Sequence, residues 1–575
     1  MNLNFLRRQA IISSQARKRD LPYLCELEYL ESTGEQWITI PYKIVTTDTF
    51  RHETANQYTQ FGTNQYEGQT SGGNWYGIDT SGKYTIGSGI VSSFTASTNE
   101  FDSIIAESDE TGLTLTVNGN IVGTRSSKSS GQKVYLFDCY NPNATATGNY
   151  YNFVRKKYHR LYVNGSLFFD GIPVLDYDMK PAMYDRVTKT FFYNEGTGED
   201  FKFALKRGDK RAYTELEYLE STGEQYIDIG YQLQTTDTVK HVVTQQYAYK
   251  STAQYENHVT APRYFGVNYA NIYTVGGTDV GIKSSTNDYD NIVFEGTPTQ
   301  GTVVVNGTVA ASRVINVSRS LNIYIFGACG SSNELQYPCY VKKKSHQIYV
   351  NDVLIFDGIP VLDYLLRPAM FDKVSGKFFY NKGTGADFKY GLKDNAGNLY
   401  TSVPYIESTG GAMITLNIPV VKTQTVKHVC RQQYMSTTGR QLEGFAQGGR
   451  WFGTNEGYWH ITSSTKSDVM SSTDDYDKII FNSTPTKQNL VVNNTEVCRT
   501  QTAVVQDNVG IRLFAAGGGS YPCNIRKKFH LIYVDNKLVF AGVPVVNTNG
   551  VAGLFDVITK TMFKNAFTGE FLIGE

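Results

Sequence analysis

From residue 24 onward, apolar and polar residues alternate in short runs rich in Val, Ile, Tyr and Thr, broken by pairs of Asn, Gly and Asp. This period-two pattern predicts β-strands with one buried face, and no stretch beyond the N-terminal arm sustains the spacing of an amphipathic helix. The run LTVNGNIV around Asn118 and Gly119 predicts a hairpin, because a two-residue turn that follows the strand twist needs positive φ, which Asn and Gly tolerate. The same signal recurs at Asn306-Gly307 and Asn493-Asn494. A second series falls at Asn164-Gly165, Asn351-Asp352 and Asp535-Asn536.

Those six turns fall in register because the chain repeats. ELEYLESTGEQWITI from Glu26 returns as ELEYLESTGEQYIDI from Glu215 and, worn, as VPYIESTGGAMITL from Val403. The tyrosine of this opener stands at Tyr29, Tyr218 and Tyr405, 189 and 187 residues apart (218 − 29 and 405 − 218). A closing motif beginning RKKYHRLYVNG at Arg155, KKKSHQIYVND at Lys342 and RKKFHLIYVDN at Arg526 ends in NEGTGEDF, NKGTGADF and NAFTGEF. So long a period means three whole domains rather than solenoid units of about 20 to 50 residues. The expected organisation is all-β: three tandem antiparallel sandwiches of the jelly-roll kind over residues 24–206, 213–391 and 400–575, behind a short arm over 1–23. The eight-residue joins at 205–212 and 392–399 span no more than roughly 28 Å when extended, which places the domains side by side.

Composition narrows the function. The chain is 40% apolar and 13% aromatic, enough to build cores. Lys plus Arg equals Asp plus Glu at 54 each, which argues against a general nucleic-acid binder. The seven cysteines include no CxxC pair and share no position across all three copies, which suits buried free thiols in a reducing cytosol. No apolar run approaches a membrane span, and the N-terminus lacks the apolar core of a secretory signal. The arm carries Arg7, Arg8, Arg17, Lys18 and Arg19 against Asp20, with Leu3, Leu6 and Ala10 on one face if it folds as a helix. It is either a flexible tail or an anchor peptide that docks once per chain on a larger partner.

The opener at 216–228 and the close through IYVNDVLIFDGIP and MFDKVSGKFFYNKGTG resemble the two ends of a domain found in proteins of gut bacteria and their tailed phages. That domain belongs to the LamG-like, concanavalin A-like lectin/glucanase superfamily, and the resemblance covers residues 24–575. Copy three departs from it, with GGAM at 410–413 and FTG at 567–569, which suggests a different neighbour or ligand there. The resemblance implies jelly rolls, glycan adhesion and a structural role in a phage virion, as capsid, tail fibre or decoration protein held by the arm to other virion proteins. A phage protein needs no export signal, since lysis releases it. A bacterial cell-surface lectin binding a host glycan is the alternative, and a homo-oligomer is open. Glucanases of the superfamily place two glutamates around an aspartate on one strand; ESDE at 107–110 is the nearest match and has no counterpart in the other copies, so no enzymatic activity is expected.

Three sets of residues remain as candidates. The aromatic pairs Trp75-Tyr76, Tyr264-Phe265 and Trp451-Phe452 each send one ring inward and one outward, so that Trp75, Tyr76, Tyr264, Trp451 and Trp459 are the candidate sugar-stacking rings. The triplets Arg155-Lys156-Lys157, Lys342-Lys343-Lys344 and Arg526-Lys527-Lys528 read as a guarded sheet edge or as a basic patch for an anionic surface. In that patch the candidates are Lys156, Lys157, Lys343, Lys344, Lys527 and Lys528. The histidines His52, His241, His428, His159, His346 and His530 also fall in register, without the carboxylate or thiolate partners a metal site needs. Acidic turns at 99–102, 287–290 and 474–477 are either solvated or, as in some LamG domains, calcium sites, and no other cofactor is implied.

Overall fold

The computed structural model describes residues 21–574 except 46, 69–73, 88–89, 110–111, 127–131, 139–151, 178, 207–208, 259–262, 331–334, 446–448, 463–464, 502–507 and 517–520. The anchor candidates Leu3, Leu6, Arg7, Arg8, Arg17 and Arg19 lie outside the described residues. Every regular element among those described is a strand.

The chain divides into two compact units, residues 1–212 with 375–377, and the remainder of 213–575. In the first unit a larger sheet has Phe50–Tyr58, Phe153–Val163 and Cys25–Thr33 at its centre, flanked by Asp102–Ser108 on one side and Ser166–Leu175 on the other. A six-stranded sheet packs against it, running from Ile38–Ile44 through Gln132–Leu136, Gln65–Gly68, Trp75–Ile78 and Lys83–Ile86 to Ile90–Thr95. Alternation along the strands decides which side chains meet between the sheets: Val154, Lys156, His159 and Leu161 of Phe153–Val163 are buried. The result is an antiparallel β-sandwich.

The second unit builds this sandwich twice, around Val239–Tyr247 with Tyr340–Val350 and around Val426–Tyr434 with Asn524–Val534. The segment expected as a plain linker at 392–399 instead closes a hairpin. Lys389–Lys393 pairs with Leu399–Ser402 (Leu392 opposite Tyr400), and Leu399–Ser402 pairs in turn with Lys537–Asn547. One sheet therefore runs from the second repeat into the third. The outer face of the third repeat, Val429, Leu531, Tyr533, Ala541 and Val543, is buried in one cluster with Leu366, Tyr390 and Leu392 of the second.

The six hairpin turns form as the sequence predicts, with φ of 49° and 82° at Asn118-Gly119, and 50° and 64° at Asp535-Asn536. Asn118, Asn306 and Asn493 each accept a backbone N–H and donate to the buried Asp102, Asp290 and Asp477, respectively.

The repeated opener and close turn out to be two halves of one clasp. In the first repeat Gln36 Nε2 donates to Glu199 O at 3.0 Å, and Asn194 Oδ1 accepts from Trp37 N and Gly196 N. Gln225, Asn381 and Gly383 repeat the arrangement in the second. A Cβ on Gly196 would lie 1.9 Å from Glu35 O, so glycine is required there. In the third repeat Phe567 replaces that glycine, while Gly411 and Ala412 replace the glutamate and glutamine facing it. Asn565 still accepts from Met413 N, and Gly569 N donates to Gly411 O at 2.7 Å. The two departures of copy three thus fall on the two facing sides of the clasp, and Phe567 itself is exposed.

Candidate functional site

The basic triplets do not make a patch. Lys156, Lys343 and Lys527 are fully buried, because the middle residue of three in a strand points opposite to its neighbours, and here it points between the sheets. The first residue of each triplet sits over the opener tyrosine, with Arg155 bonded to Glu31 at 2.6 Å and Arg526 to Glu407 at 2.7 Å. The third lies over the aromatic ring of the acidic turn: Lys157 over Phe101, Lys344 over Tyr289 and Lys528 over Tyr476. The last aspartate of each acidic turn, Asp102, Asp290 or Asp477, is also committed internally. Asp102 accepts from Tyr84 Oη (2.7 Å), Ser97 N and Asn118 Nδ2, and Asp290 accepts the equivalent three bonds. Among the described residues no cluster of three His, Cys, Asp or Glu is placed to hold a metal ion.

Tyr76 and Trp459 are core residues rather than stacking surfaces. Tyr76 Oη reaches Glu67 between the sheets, and Trp459 fills the position of Tyr84 and Tyr273, edge-on to Tyr434. The outward members of the aromatic pairs remain at the surface of the six-stranded sheets, and each is joined by rings from neighbouring strands. Trp75 stacks on Tyr66 with centroids 4.0 Å apart. Tyr264 packs on Tyr255, which packs on Tyr337, both at 4.9 Å. Trp451 lies nearly parallel to His460 (2°, 5.8 Å) and to Tyr521 (24°, 6.4 Å). Each repeat therefore presents a half-buried aromatic platform at the same place on its smaller sheet. Sequence reasoning found one ring of each platform; the others sit on separate strands, where only pairing brings them together. On the larger sheet of the first repeat, a hollow of about 400 Å³ is lined by Arg51, Glu53, Glu107 and Tyr162 among others, with Arg51 bonded to Glu53 at 2.8 Å.

Behind the platforms each repeat holds a buried polar centre that links the two sheets, and sequence reasoning missed it. In the first, Lys156 Nζ lies 2.9 Å from Glu67 Oε2, 2.7 Å from Asn56 Oδ1 and 2.9 Å from Thr54 Oγ1. In the second, Lys343 meets Glu256 at 2.9 Å and the carboxamide of Gln245; in the third, Lys527 meets Glu443 at 3.0 Å and the carboxamide of Gln432. Beside each lies a histidine pair, His52–His159, His241–His346 and His428–His530, with ring nitrogens 2.8–3.0 Å apart. Burial, reinforced by the nearby lysine, pushes His52, His241 and His428 down to about 3, so these rings are neutral. Burial also lowers Lys156 and Lys343, against the opposing pull of their glutamates. Phe137, Phe326 and Phe514 close the centres with φ of 66–67°, a costly conformation for a bulky residue. At Phe137 and Phe514 it aims the backbone N–H at Glu67 and Glu443, 2.7 Å away. The common signal in the sequence was the spacing Lys-x-x-His within each closing motif.

The described free cysteines, Cys25, Cys339, Cys430, Cys498 and Cys523, are all buried, and burial pushes the Cys430 thiol up to about 12.

Two solved structures align with the chain at low scores. The LG1-3 region of the laminin alpha2 chain is 10% identical with a TM-score of 0.20, covering 88% of this chain and 96% of its own. Domains LG4-5 of the mouse laminin alpha1 chain are 10% identical with a TM-score of 0.24, covering 58% and 89%. No family model and no curated protein matches the chain. The sandwich architecture rests on the strand pairings given above.

Proposed function

We propose that the chain is a non-enzymatic structural and adhesive protein of a phage virion, a capsid, tail fibre or decoration component attached through residues 1–20, which displays its sandwiches to bind glycan. The observation that carries the adhesive part is the recurrence of an outward aromatic platform at one position in all three repeats, built from different rings each time. Flat aromatic surfaces suit the apolar faces of sugar rings, and three weak sites on one chain raise apparent affinity by about 100-fold or more when they engage together. The virion setting is supported by the resemblance of the opener and close to a domain of tailed-phage proteins.

Immunogold labelling of intact particles with antibody to this chain tests the setting. Gold on virions is expected; gold confined to bacterial envelopes would replace the virion by a cell-surface lectin. Incubation with a panel of polysaccharides is expected to release no sugar, and release would overturn the non-enzymatic reading.

A further inference from the structure

The buried centre of the first repeat holds more than an ion pair requires. Glu67 Oε2 lies 2.9 Å from Lys156 Nζ and 3.3 Å from Asn56 Nδ2, so one carboxylate oxygen touches both the amine and the amide nitrogen. Thr54 Oγ1 donates to Asn56 Oδ1 at 2.8 Å, on the oxygen that Lys156 also approaches. Thr54, Asn56, Lys156 and Glu67 are all buried, at 1% exposure or less. The other repeats keep a lysine, a glutamate and a side-chain carboxamide in contact, with Gln245 or Gln432 in place of asparagine. Cys430 Sγ, in the strand position of Thr54, lies 3.4 Å from Gln432 Oε1.

We infer that each centre is a self-processing site in which the lysine amine and the neighbouring carboxamide condense to a side-chain amide, releasing ammonia: Lys156 with Asn56, Lys343 with Gln245 and Lys527 with Gln432. In the first repeat Glu67 takes a proton from the ammonium of Lys156, and the freed lone pair attacks Cγ of Asn56. The carbonyl π pair moves to Oδ1, where the Thr54 hydroxyl hydrogen-bonds the developing negative charge. Glu67 passes its proton to Nδ2, the Cγ–Nδ2 bond breaks as the carbonyl re-forms, and the new amide nitrogen gives its extra proton to the departing ammonia. Overall R–NH3+ and R′–CONH2 become R′–CO–NH–R and NH4+. Glu67 ends as it began, and no oxidant or co-reactant is consumed. Burial that lowers Lys156 favours the neutral amine this step needs. The link would bind the strands Phe50–Tyr58 and Phe153–Val163 covalently, about 100 residues apart in sequence.

The test is the intact mass of the full chain, denatured and reduced, followed by peptide mapping. Each link removes about 17 Da, so a deficit of about 51 Da is expected, with a branched peptide joining Lys156 to Asn56 and its two counterparts. Glu67→Gln, which keeps the side-chain shape but cannot shuttle the proton, is expected to restore about 17 Da and abolish the Lys156–Asn56 peptide. A native chain with the full sequence mass would overturn the inference. A deficit of about 17 Da mapped to Lys156–Asn56 alone would overturn it for the glutamine centres of the second and third repeats.

Discussion

On the outer face of the larger sheet, the first and third repeats carry opposite chemistry on one scaffold. Glu53, Arg160 and Asp170 of the first stand at the register positions of Val429, Leu531 and Ala541 of the third. In the first, Arg160 bonds Asp170 at 3.2 Å with Glu53 at 3.5 Å, and Arg186 adds a second cation on Asp170 at 2.6 Å. In the third, the apolar set is buried against the second repeat, where Tyr364 meets Tyr533. Between the sheets, by contrast, both repeats hold the same lysine, glutamate and histidine pair. Repetition therefore maintains the interior, while the outer faces record what each copy packs against.

Exchanging the two outer faces breaks the comparison most sharply. Leu531→Arg places an unpaired charge in a buried contact and is expected to cost about 3 kcal/mol or more, seen as a lower melting transition of the unit holding the second and third repeats. The reverse exchange, Arg160→Leu, removes partly exposed ion pairs and is expected to cost no more than about 1 kcal/mol. Equal shifts from the two variants would contradict the assignment of the faces.

The clasp provides the next largest effect. Gly196→Phe copies Phe567 into a repeat that still has Glu35, whose carbonyl stands 1.9 Å from the added Cβ, and should cost about 1–3 kcal/mol in urea unfolding. Adding Glu35→Gly, which copies Gly411, keeps that carbonyl but lets its backbone shift away, and is expected to recover part of that loss. Strictly additive effects in the double-mutant cycle would refute a coupling of the two departures across the clasp.

The smallest effect concerns Asp477. Trp459 stands where Tyr84 and Tyr273 donate to the equivalent aspartates, and burial raises the Asp477 carboxyl above its ordinary value. A carboxyl raised by folding binds its proton more tightly in the folded state, so its ionisation opposes folding. The penalty is absent below the unfolded value near pH 4 and grows as pH rises through the folded value. Asp477→Asn should therefore gain on the wild type in thermal melts as pH rises above about 4. A gap that stays constant or moves the other way would rule this out.

Much of the fold was legible because its signals are local. Period-two alternation gave the strands, and Asn-Gly and Asp-Asn pairs gave the hairpin turns at positive φ. The join at 392–399 was not, because whether eight residues form a linker or a hairpin depends on Tyr400 finding Leu392 and Asn547. The site was less legible for the same reason. One strand position decides whether a lysine of an RKK run guards an edge or enters the core, and Lys156 faces Glu67 from the opposite sheet, 89 residues away. Likewise the pair Trp75-Tyr76 shows that one ring faces out but not that Tyr66 lies beneath it.

The adhesive claim is tested most directly by glycan-array binding of the full chain beside the triple variant Trp75→Ala, Tyr264→Ala, Trp451→Ala. The account predicts that the wild type binds a defined set of glycans and that the variant loses that binding by about 100-fold or more while melting as the wild type does. A variant that binds as tightly as the wild type would contradict it.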